Sequence, residues 1–278
     1  MLNHIRPKNV TELLEALDKQ YYHVFAGGTD LMIRKRQWQG AERKFNKDIA
    51  FIAHLDELNG IEETLDSYII KTLVTQAEMA KSDILPEYLQ IPFSQMANIA
   101  IRNIATVGGN IVNAATVGDS IPVLMALDAE LVLKNIYGER TVNVDEFIQG
   151  KYKTVKKDNE ILERIIIPKT EFDGYRYKKL GQRKAGILAK LSIFIVYKKD
   201  NDSLTDIRIT IGAVNEMPIR LKEEEKKLIE TKDIDGYLDK LSSVINSKDD
   251  NRSTKSYREQ ISKRLVRRYL EEIMQGGK

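Results

Sequence analysis

The 278-residue sequence contains no cysteine, and this absence excludes several classes of site at once. Without thiols the chain has no disulfide, no thiolate zinc site, no cysteine-ligated iron–sulfur cluster and no cysteine nucleophile. Histidine is also rare, and the spacing of His4, His23 and His54 is not that of a metal site. Because disulfides are absent from proteins of reducing compartments, we expect a cytoplasmic protein.

Long hydrophobic runs are missing as well. No stretch of about 18 apolar residues is present, so the sequence predicts no transmembrane helix. The start, Met-Leu-Asn-His-Ile-Arg-Pro-Lys, is not followed by the apolar core of a secretory signal. We therefore expect a soluble protein without a membrane partner.

Charge of one sign is not in excess, since 44 Lys and Arg face 41 Asp and Glu, for a net charge of +3. No strong field therefore directs the chain toward nucleic acid. The basic residues near the C-terminus lie on a predicted helix, and no aromatic or groove-reading motif accompanies them. We interpret them as a solvated helix face and expect no nucleic-acid partner.

The composition that remains, 42% hydrophobic and 31% charged, is typical of a globular protein with a buried core. The length suggests two domains. Irregularly mixed strand and helix signals extend to about residue 171, where the pattern changes. Beyond it, the segments 175–180, 190–197 and 204–214 predict three antiparallel strands.

Two helical regions are predicted with particular detail. Pro86 and Pro92 predict irregular chain before a helix from Gln95 to about Arg102. Near the C-terminus, apolar residues recur every four positions and predict one buried helix stripe. That stripe comprises Tyr257, Ile261, Leu265, Tyr269 and Ile273.

Two glycine pairs stand in similar settings, Ala26-Gly27-Gly28-Thr29-Asp30 and Thr106-Val107-Gly108-Gly109-Asn110. Glycine exposes the backbone N–H and accepts positive φ, so an anion can approach, and a following helix favours a phosphate. Two such loops would suit a pyrophosphate held from two sides, although for either loop alone a tight turn is the favoured interpretation. Neither matches the Gly-x-Gly-x-x-Gly or Walker motif.

With their surroundings, these loops resemble the FAD-binding medium subunit of the xanthine dehydrogenase/carbon monoxide dehydrogenase family, the molybdenum hydroxylases. The resemblance extends over nearly the whole chain and involves several ordered motifs. The segments that carry it are Phe25-Ala-Gly-Gly-Thr-Asp-Leu-Met32, Ile101-Arg-Asn-Ile-Ala-Thr-Val-Gly-Gly-Asn-Ile111, Gly118-Asp-Ser-Ile-Pro-Val-Leu-Met-Ala-Leu-Asp-Ala129, Ile211-Gly-Ala-Val214, Asp250-Asn-Arg-Ser-Thr-Lys-Ser-Tyr257 and Val266-Arg-Arg268.

The resemblance implies an α+β fold. A two-subdomain FAD-binding fold of the vanillyl-alcohol-oxidase/PCMH type would precede a C-terminal three-stranded antiparallel sheet with helices. We expect an FAD-binding domain at residues 1–171, with subdomains at about 1–55 and 56–171, and a C-terminal flavoprotein domain at 172–278.

The implied function is that of an FAD-carrying electron-transfer subunit of a molybdenum hydroxylase. It would hold FAD noncovalently and pass electrons from the clusters of an iron–sulfur small subunit to NAD or another acceptor. Substrate would be oxidised on a molybdopterin large subunit. Because the cofactor carries the chemistry, we expect no catalytic side chain and no metal in this chain.

Site residues also follow from the resemblance. The first loop would wrap the pyrophosphate through backbone amides of Val24, Phe25, Ala26, Gly27, Gly28, Thr29, Asp30 and Leu31. The second loop would comprise Thr106, Val107, Gly108, Gly109 and Asn110. Met96 would make an apolar contact, Asp119 would bind sugar or ribityl hydroxyls, Leu162 would touch the flavin region, and Lys178 or Lys179 would meet its polar edge.

One departure from the family concerns the segment from Ala114 to Gly118, which lacks the proline that usually stands between the Asn and the Asp of the second motif. This leaves the shape of that loop open. Some individual residues also have two interpretations. Asp119 is alternatively a helix N-cap. We interpret His23 as a hydrogen-bonded residue rather than a site of covalent flavin attachment. We interpret Trp38 as a packing or partner-contact residue rather than one that stacks on the flavin.

Two alternative functions remain at this point. A self-contained flavoenzyme of similar fold, such as the enolpyruvyl reductase of cell-wall synthesis, would need its own proton donor and substrate pocket. A nucleotide-binding scaffold would need no turnover at all. A flavin spectrum that bleaches with NADH separates an enzyme from a scaffold, and co-purifying partners separate a subunit from a self-contained enzyme.

Overall fold

The computed structural model describes residues 2–36, 45–183, 186, 188–201 and 203–275. Trp38 lies outside these residues, so its predicted role has no structural counterpart here. Within the described ranges, no helix is both long and apolar enough to cross a bilayer.

A three-stranded parallel sheet, in the order β1-β3-β2, begins the fold. Asn9 caps its first helix, and the buried side chains of that helix pack against the sheet. The elements of this layer are β1 (His4–Ile5), α1 (Val10–Lys19), β2 (His23–Phe25), α2 (Thr29–Arg34) and β3 (Ile49–Phe51).

A five-stranded antiparallel sheet, in the order β4-β5-β10-β6-β7, forms the second layer, with a two-stranded hairpin β8-β9 beside it. The strands are β4 (Ile61–Glu63), β5 (Ser67–Lys71), β6 (Glu130–Asn135), β7 (Gly138–Asn143), β8 (Ile148–Gly150), β9 (Lys153–Thr154) and β10 (Ile161–Pro168). A 3-10 turn, Asp56–Leu58, joins this layer to the first.

Short helices cover this second sheet and enclose the largest core of the chain, which includes Phe93, Leu124 and Phe147. They are α3 (Gln76–Lys81), α4 (Glu87–Ser94), α5 (Ile99–Arg102), α6 (Val107–Asn113), α7 (Ser120–Ala126) and α8 (Val144–Phe147). The prediction of irregular chain up to Gln95 was wrong, because α4 contains Pro92. The fully buried side chains of Leu89 and Phe93 offset the hydrogen bond that the proline removes.

The C-terminal part is an antiparallel sheet, in the order β11-β12-β13-β14, covered by helices. The three long strands are the predicted ones, and a two-residue strand extends their sheet. The elements are β11 (Gly174–Leu180), β12 (Leu191–Asp200), β13 (Ser203–Gly212), β14 (Ile219–Arg220), α9 (Lys222–Thr231), α10 (Ile234–Val244) and α11 (Lys255–Met274).

The stripe predicted for α11 is displaced by one residue over most of its length. The buried residues of this helix are Arg258, Ser262, Val266, Leu270 and Ile273. Ile273 is buried as predicted, whereas Ile261, Leu265 and Tyr269 are partly buried and Tyr257 is exposed. Two polar residues belong to the buried face because their hydrogen bonds are satisfied within the protein, and an apolar pattern does not register such positions.

The α7 helix connects the two halves of the molecule. It packs against β12 and β13, and the buried hydroxyl of Thr210 donates to the carbonyl of Pro122 at 2.8 Å. Phe194 and Val196 of β12 belong to the same core as α4 and α7. The opposite face of the C-terminal sheet packs on its own helices through a second core. The start of α7 is therefore held against β12 and β13.

Candidate functional site

A cleft of about 470 Å³ lies between the first two sheets. This volume is within the range of roughly 300–1,000 Å³ that small-molecule and cofactor sites occupy. Three parts of the chain line it: the β2–α2 loop, the start of α6, and the segment from the β8–β9 hairpin to the start of β10.

The first glycine turn presents free hydrogen-bond donors. Gly28 has a φ of 68°, which ends β2 sharply and starts α2. No side chain caps this helix, and in the described part of the chain the N–H groups of Thr29, Asp30 and Leu31 have no acceptor. The Phe25 ring lies beneath the turn, so close that a Cβ atom added to Gly28 would overlap it. This loop has the geometry that the sequence predicts for anion binding.

The second glycine turn differs, because its donors are already used. Val107 and Gly108 donate their N–H groups to backbone carbonyls of the β5–α3 segment, at 2.8 and 3.0 Å. The Gly109 N–H donates to the Thr106 hydroxyl at 3.1 Å, so Thr106 is the N-cap of α6. The second loop therefore contributes surface and side chains to the cleft, but the N–H groups of these three residues are not free to bind a ligand.

The glycines of the two loops have different surroundings. A Cβ on Gly27 would overlap the carbonyl of Ile104, and one on Gly108 would overlap the Thr72 side chain. These two glycines allow the loops to pack closely against the protein. Gly109 is exposed, and its only close neighbour would be the Thr106 hydroxyl at 2.8 Å, so a side chain here would enter the cleft.

A polar network joins the two loops at the cleft. The Asn113 amide donates to the Asp30 carboxylate at 3.0 Å and accepts from the Arg34 guanidinium at 3.1 Å. Arg34 also lies over the Tyr152 ring, 4.3 Å from its centroid. Burial raises the pKa of Asp30, an effect that Arg34 and Asn113 oppose. The network connects α2, α6 and the β8–β9 hairpin.

His23 takes part in a second polar group at the cleft. Its Nε2 lies 3.3 Å from the Asn46 side-chain oxygen, to which the Lys35 ammonium donates at 2.8 Å. Burial lowers the pKa of His23, and the nearby cations Lys35, Lys47 and Arg34 add to this effect. His23 is therefore a hydrogen-bonded, predominantly neutral side chain.

A buried ion pair lies where α7 meets β11. The Lys179 ammonium is 2.6 Å from the Asp119 carboxylate, and these side chains are 5% and 6% exposed. Burial raises the pKa of Asp119, and the charge of Lys179 opposes this shift. Asp119 stands at the N-cap position of α7, but its side chain makes no hydrogen bond to the helix. The alternative role of its side chain as a helix cap is therefore wrong. Lys178 faces solvent on the same strand.

Two polar atoms beside this pair lack partners. Asp119 Oδ1 and the Tyr177 hydroxyl are buried without a hydrogen bond to any described residue. Burial raises the pKa of Tyr177 well above its ordinary value, and the Asp119 charge raises it further. Gln76 Oε1, on a residue that lines the cleft, is a third buried atom without a partner. Such atoms indicate a polar ligand, since buried polar groups are normally paired.

The structure brings most predicted site residues together. Those that line the cleft are Val24, Ala26, Gly27, Gly28, Thr29, Asp30, Leu31, Thr106, Gly108, Gly109, Asn110 and Leu162. Phe25 supports the first turn, and Met96 and Val107 lie in the core beneath the site. Asp119 and Lys179 form their own cluster, linked to the cleft where Ser120 donates to Asn110 at 2.6 Å.

Several residues at the cleft escaped the sequence analysis: Tyr21, Tyr22, Arg34, Lys35, Asn113, Tyr152, Lys156 and Gln76. Arg34 lies one turn after Asp30 in the same helix, so helical spacing was a usable signal for it. Tyr21, Tyr22, Lys35 and Asn113 also stand close in sequence to the two loops, whereas Gln76, Tyr152 and Lys156 reach the cleft only through the packing of distant segments.

The residues present fit FAD. Free loop amides and cations suit a pyrophosphate, apolar residues such as Leu58 and Leu162 suit a ring, and the unpartnered polar atoms suit cofactor hydroxyl and amide groups. Among the described residues, no group of three or more His, Asp or Glu is arranged to hold a metal ion.

Comparison with known proteins agrees with this fit. Residues 1–170 match the family model described as the FAD binding domain in molybdopterin dehydrogenase. Residues 176–273 match the model of the CO dehydrogenase flavoprotein C-terminal domain.

Among individual relatives, the glyceraldehyde dehydrogenase medium chain of Sulfolobus acidocaldarius is 29% identical over 98% of each chain. The carbon monoxide dehydrogenase medium chain of Hydrogenophaga pseudoflava is 26% identical, over 95% of this chain and 94% of the relative. A chain of the reconstituted CO dehydrogenase from Oligotropha carboxidovorans superimposes with a TM-score of 0.89, at 24% identity, over 99% of this chain and 98% of the other.

The superposition confirms the predicted α+β fold, and the family models confirm the predicted family and its cofactor. These relatives are medium chains of dehydrogenases, and a further relative is the xanthine dehydrogenase FAD-binding subunit of Escherichia coli O157:H7, so the chain is part of an oxidoreductase. The protein thus belongs to the family of FAD-binding subunits of molybdopterin dehydrogenases, which includes the carbon monoxide and xanthine dehydrogenases.

Proposed function

We propose that this FAD-binding subunit transfers electrons between the iron–sulfur clusters of a partner chain and NAD or another acceptor. The observation that carries the proposal is the cofactor-sized cleft. The chain that contains it has no cysteine, and its described residues include no metal-binding cluster. When bound, FAD supplies both hydride and single-electron transfer. The protein's own part is to bind, orient and shield the cofactor.

The β2–α2 loop would bind the pyrophosphate of FAD through the free N–H groups of Thr29, Asp30 and Leu31. On the other side of the cleft, Gly109 and Asn110 would provide the facing surface. The absence of a side chain at Gly109 leaves room for the cofactor there.

The buried cluster at α7 would bind a second polar part of FAD. Asp119 Oδ1 is free to accept a hydrogen bond, and the Tyr177 hydroxyl is free to donate one. Lys179 would hold Asp119 in place, because its ammonium already occupies the other carboxylate oxygen at 2.6 Å. Of the two candidate lysines, we therefore favour Lys179 over the exposed Lys178. Met96 and Leu162 complete the proposed site, and Phe25 and Val107 support it.

We further propose noncovalent attachment. No cysteine is available for a flavin link, and His23 is engaged with Asn46 rather than presented as a free nucleophile.

The partners proposed for the chain are an iron–sulfur small subunit and a molybdopterin large subunit. Iron–sulfur clusters are held by cysteine thiolates, so a chain without cysteine needs another chain to carry them. The relatives described as medium chains support this division, because that name implies chains of other sizes.

We also propose a domain division at residues 1–171 and 172–278, with subdomains at about 1–55 and 56–171. The parallel sheet ends at Phe51, the second sheet ends at Pro168, and the third starts at Gly174, which supports these limits. The ranges of the two family models support the main division.

The test is affinity purification of the tagged chain from its native cells, followed by anaerobic spectroscopy. We expect a cluster-bearing chain and a molybdopterin-bearing chain to co-purify, and flavin absorbance to bleach with NADH or with the substrate of the complex. The isolated chain should reduce dyes at most. Oxidation of a small organic substrate by the chain alone, or purification without any cluster-bearing protein, would contradict the proposal.

A further inference from the structure

Lys156 is a cation in the cleft that has no ion-pair counterpart among the described residues, although the charges of Asp158 and Glu160 act on it from a distance. It follows the β8–β9 hairpin and lines the cavity. Its ammonium donates to the carbonyls of Lys157 and Glu160, at 2.8 and 2.9 Å. An ammonium has three N–H donors, so one donor remains without an acceptor among the described residues. No described carboxylate forms an ion pair with it.

The nearby Glu160 does not supply that counterpart. Its carboxylate accepts two hydrogen bonds from Arg140, at 2.7 and 2.9 Å, and a third from the Lys157 N–H at 2.7 Å. The Glu160 side chain is only 1% exposed, which fixes this arrangement. Lys156 is therefore bound to Glu160 only through the backbone carbonyl.

Burial lowers the pKa of Lys156 and outweighs the opposing charges of Asp158 and Glu160, so burial destabilises its charged form. An anion that enters the cleft would remove this cost. A cation held in place by two carbonyls and missing one acceptor is preorganised for such an anion.

Other cations at the cleft are already engaged with side chains. Arg34 donates to Asn113 and stacks on Tyr152, and Lys35 donates to Asn46. The loop amides that remain free are neutral donors, whereas a pyrophosphate carries about two negative charges at neutral pH.

We propose that Lys156 is a binding residue for the phosphate groups of FAD. The inference rests on the proposed position of FAD in this cleft. It adds a residue from outside the two glycine loops and from outside the motifs that carry the family resemblance.

The experiment measures equilibrium binding of FAD, ADP and adenosine to the full-length apoprotein, in wild type and in Lys156→Met. For Lys156→Met we expect the Kd of FAD and of ADP to rise by about tenfold or more, the size of one charge-assisted hydrogen bond. The Kd of adenosine, which has no phosphate, should stay within about twofold. Lys157→Met is the matched control, since its exposed ammonium does not line the cleft, and it should bind all three ligands like wild type.

The stability of the apoprotein separates binding from a structural role. Because Lys156→Met removes a partly buried charge together with its two hydrogen bonds to carbonyls, the two effects oppose each other and we expect an apoprotein Tm close to that of wild type. Lys156→Gln, which keeps a donor for the carbonyls but loses the charge, provides the same ligand comparison should Lys156→Met fail to fold.

Unchanged affinity for FAD and ADP in either charge-deleted variant would overturn the inference, and so would an equal loss for adenosine. Failure of the proposed function gives a different result, namely a wild-type chain that does not bind FAD at all.

Discussion

Gly108 and Gly109 are adjacent residues with opposite surroundings. A Cβ on Gly108 would overlap the Thr72 side chain, whereas a Cβ on Gly109 would approach only the Thr106 hydroxyl and then point to open space. The first glycine therefore serves the packing of the protein, and the second leaves room for a ligand. A difference of this kind can be read from the structure but not from the sequence.

Gly109→Val is accordingly expected to weaken FAD binding by about tenfold or more, since its side chain would occupy cofactor space. The apoprotein Tm should fall only moderately, because the position is exposed but the new Cβ would lie 2.8 Å from the Thr106 hydroxyl that caps α6. Fluorescence titration with FAD and thermal unfolding of the apoprotein measure the two effects.

Gly108→Ala provides the contrast, and there the main effect should be a lower Tm. A Gly109→Val protein that binds FAD like wild type would remove the second loop from the proposed site. Gly28 is less suitable for this test, because its φ of 68° and the Phe25 ring beneath it make any side chain disruptive to the fold itself.

Asp119 and Lys179 depend on each other at the junction of α7 and β11. Asp119→Ala leaves a buried ammonium without its carboxylate, which should lower the free energy of unfolding by about 3–5 kcal/mol. Urea unfolding of the apoprotein measures this loss. Lys178→Ala, on the exposed face of the same strand, should change it by about 0.5 kcal/mol or less. Equal effects of the two substitutions would argue against the buried pair.

At the scale of elements, a charged cluster links strands β6, β7 and β10. Glu139 lies 2.8 Å from Arg164 and 3.0 Å from Lys134, and Lys134 also binds Glu163 at 2.6 Å. The hydrogen bond from Arg164, followed by that from Lys134, lowers the pKa of Glu139 to about 2. These strands thus share a pH-dependent contact.

This cluster predicts acid sensitivity with a definite sign. Since the folded pKa of Glu139 lies below its ordinary value of 4.5, its stabilising contribution is complete above that pH and disappears as the pH falls toward 2. Glu139→Gln should therefore show a weaker loss of stability than wild type over this range. Urea midpoints measured from neutral to acid pH provide the comparison, and parallel curves for the two proteins would contradict the assignment.

Elements with a strong local signal were predicted well. The strand–glycine–helix sequence at Gly27 and Gly28 forms the turn that its residues require, because the left-handed φ at Gly28 is accessible mainly to glycine. The α11 stripe was displaced by one residue, since Arg258 is buried through bonds to Asp250 and to backbone carbonyls that no hydrophobic pattern encodes. Pro92 remained helical because tertiary burial outweighed a local breaker.

The site was predictable only where a motif carries it. The cleft-lining residues of both loops follow from the family resemblance, and so does Asp119. Lys156 and Tyr152 were not predictable, because their place depends on how the β8–β9 hairpin packs against α2 and α6. The sequence also could not predict that N–H groups of the second loop donate to carbonyls of the β5–α3 segment.

At the scale of the whole molecule, the two halves are joined by ion pairs at the end of α7. Asp128 lies 2.8 Å from Arg220, 3.2 Å from Arg208 and 3.0 Å from Lys222, all three from the C-terminal half. Arg220, 6% exposed, also pairs with the buried Glu225 at 3.2 Å. These contacts hold α7, and with it Asp119, against the C-terminal sheet.

Arg220→Met should therefore lower the free energy of unfolding by about 3–5 kcal/mol, since it leaves the buried Glu225 without its cation. Arg268→Met removes an exposed, solvent-screened pair with Glu272 and should leave the free energy of unfolding nearly unchanged. Urea unfolding of both variants tests the difference, and a loss for Arg220→Met no larger than the control would show that this cluster does not stabilise the junction.

The central claim, that the cleft holds one FAD noncovalently by its dinucleotide part, is tested most directly by calorimetric titration of the apoprotein with FAD and, in parallel, with FMN. The account predicts one FAD per chain and a Kd for FMN higher by about tenfold or more, because FMN lacks the adenylyl half and the second phosphate. Equal affinities for FAD and FMN, or no binding of FAD, would contradict it.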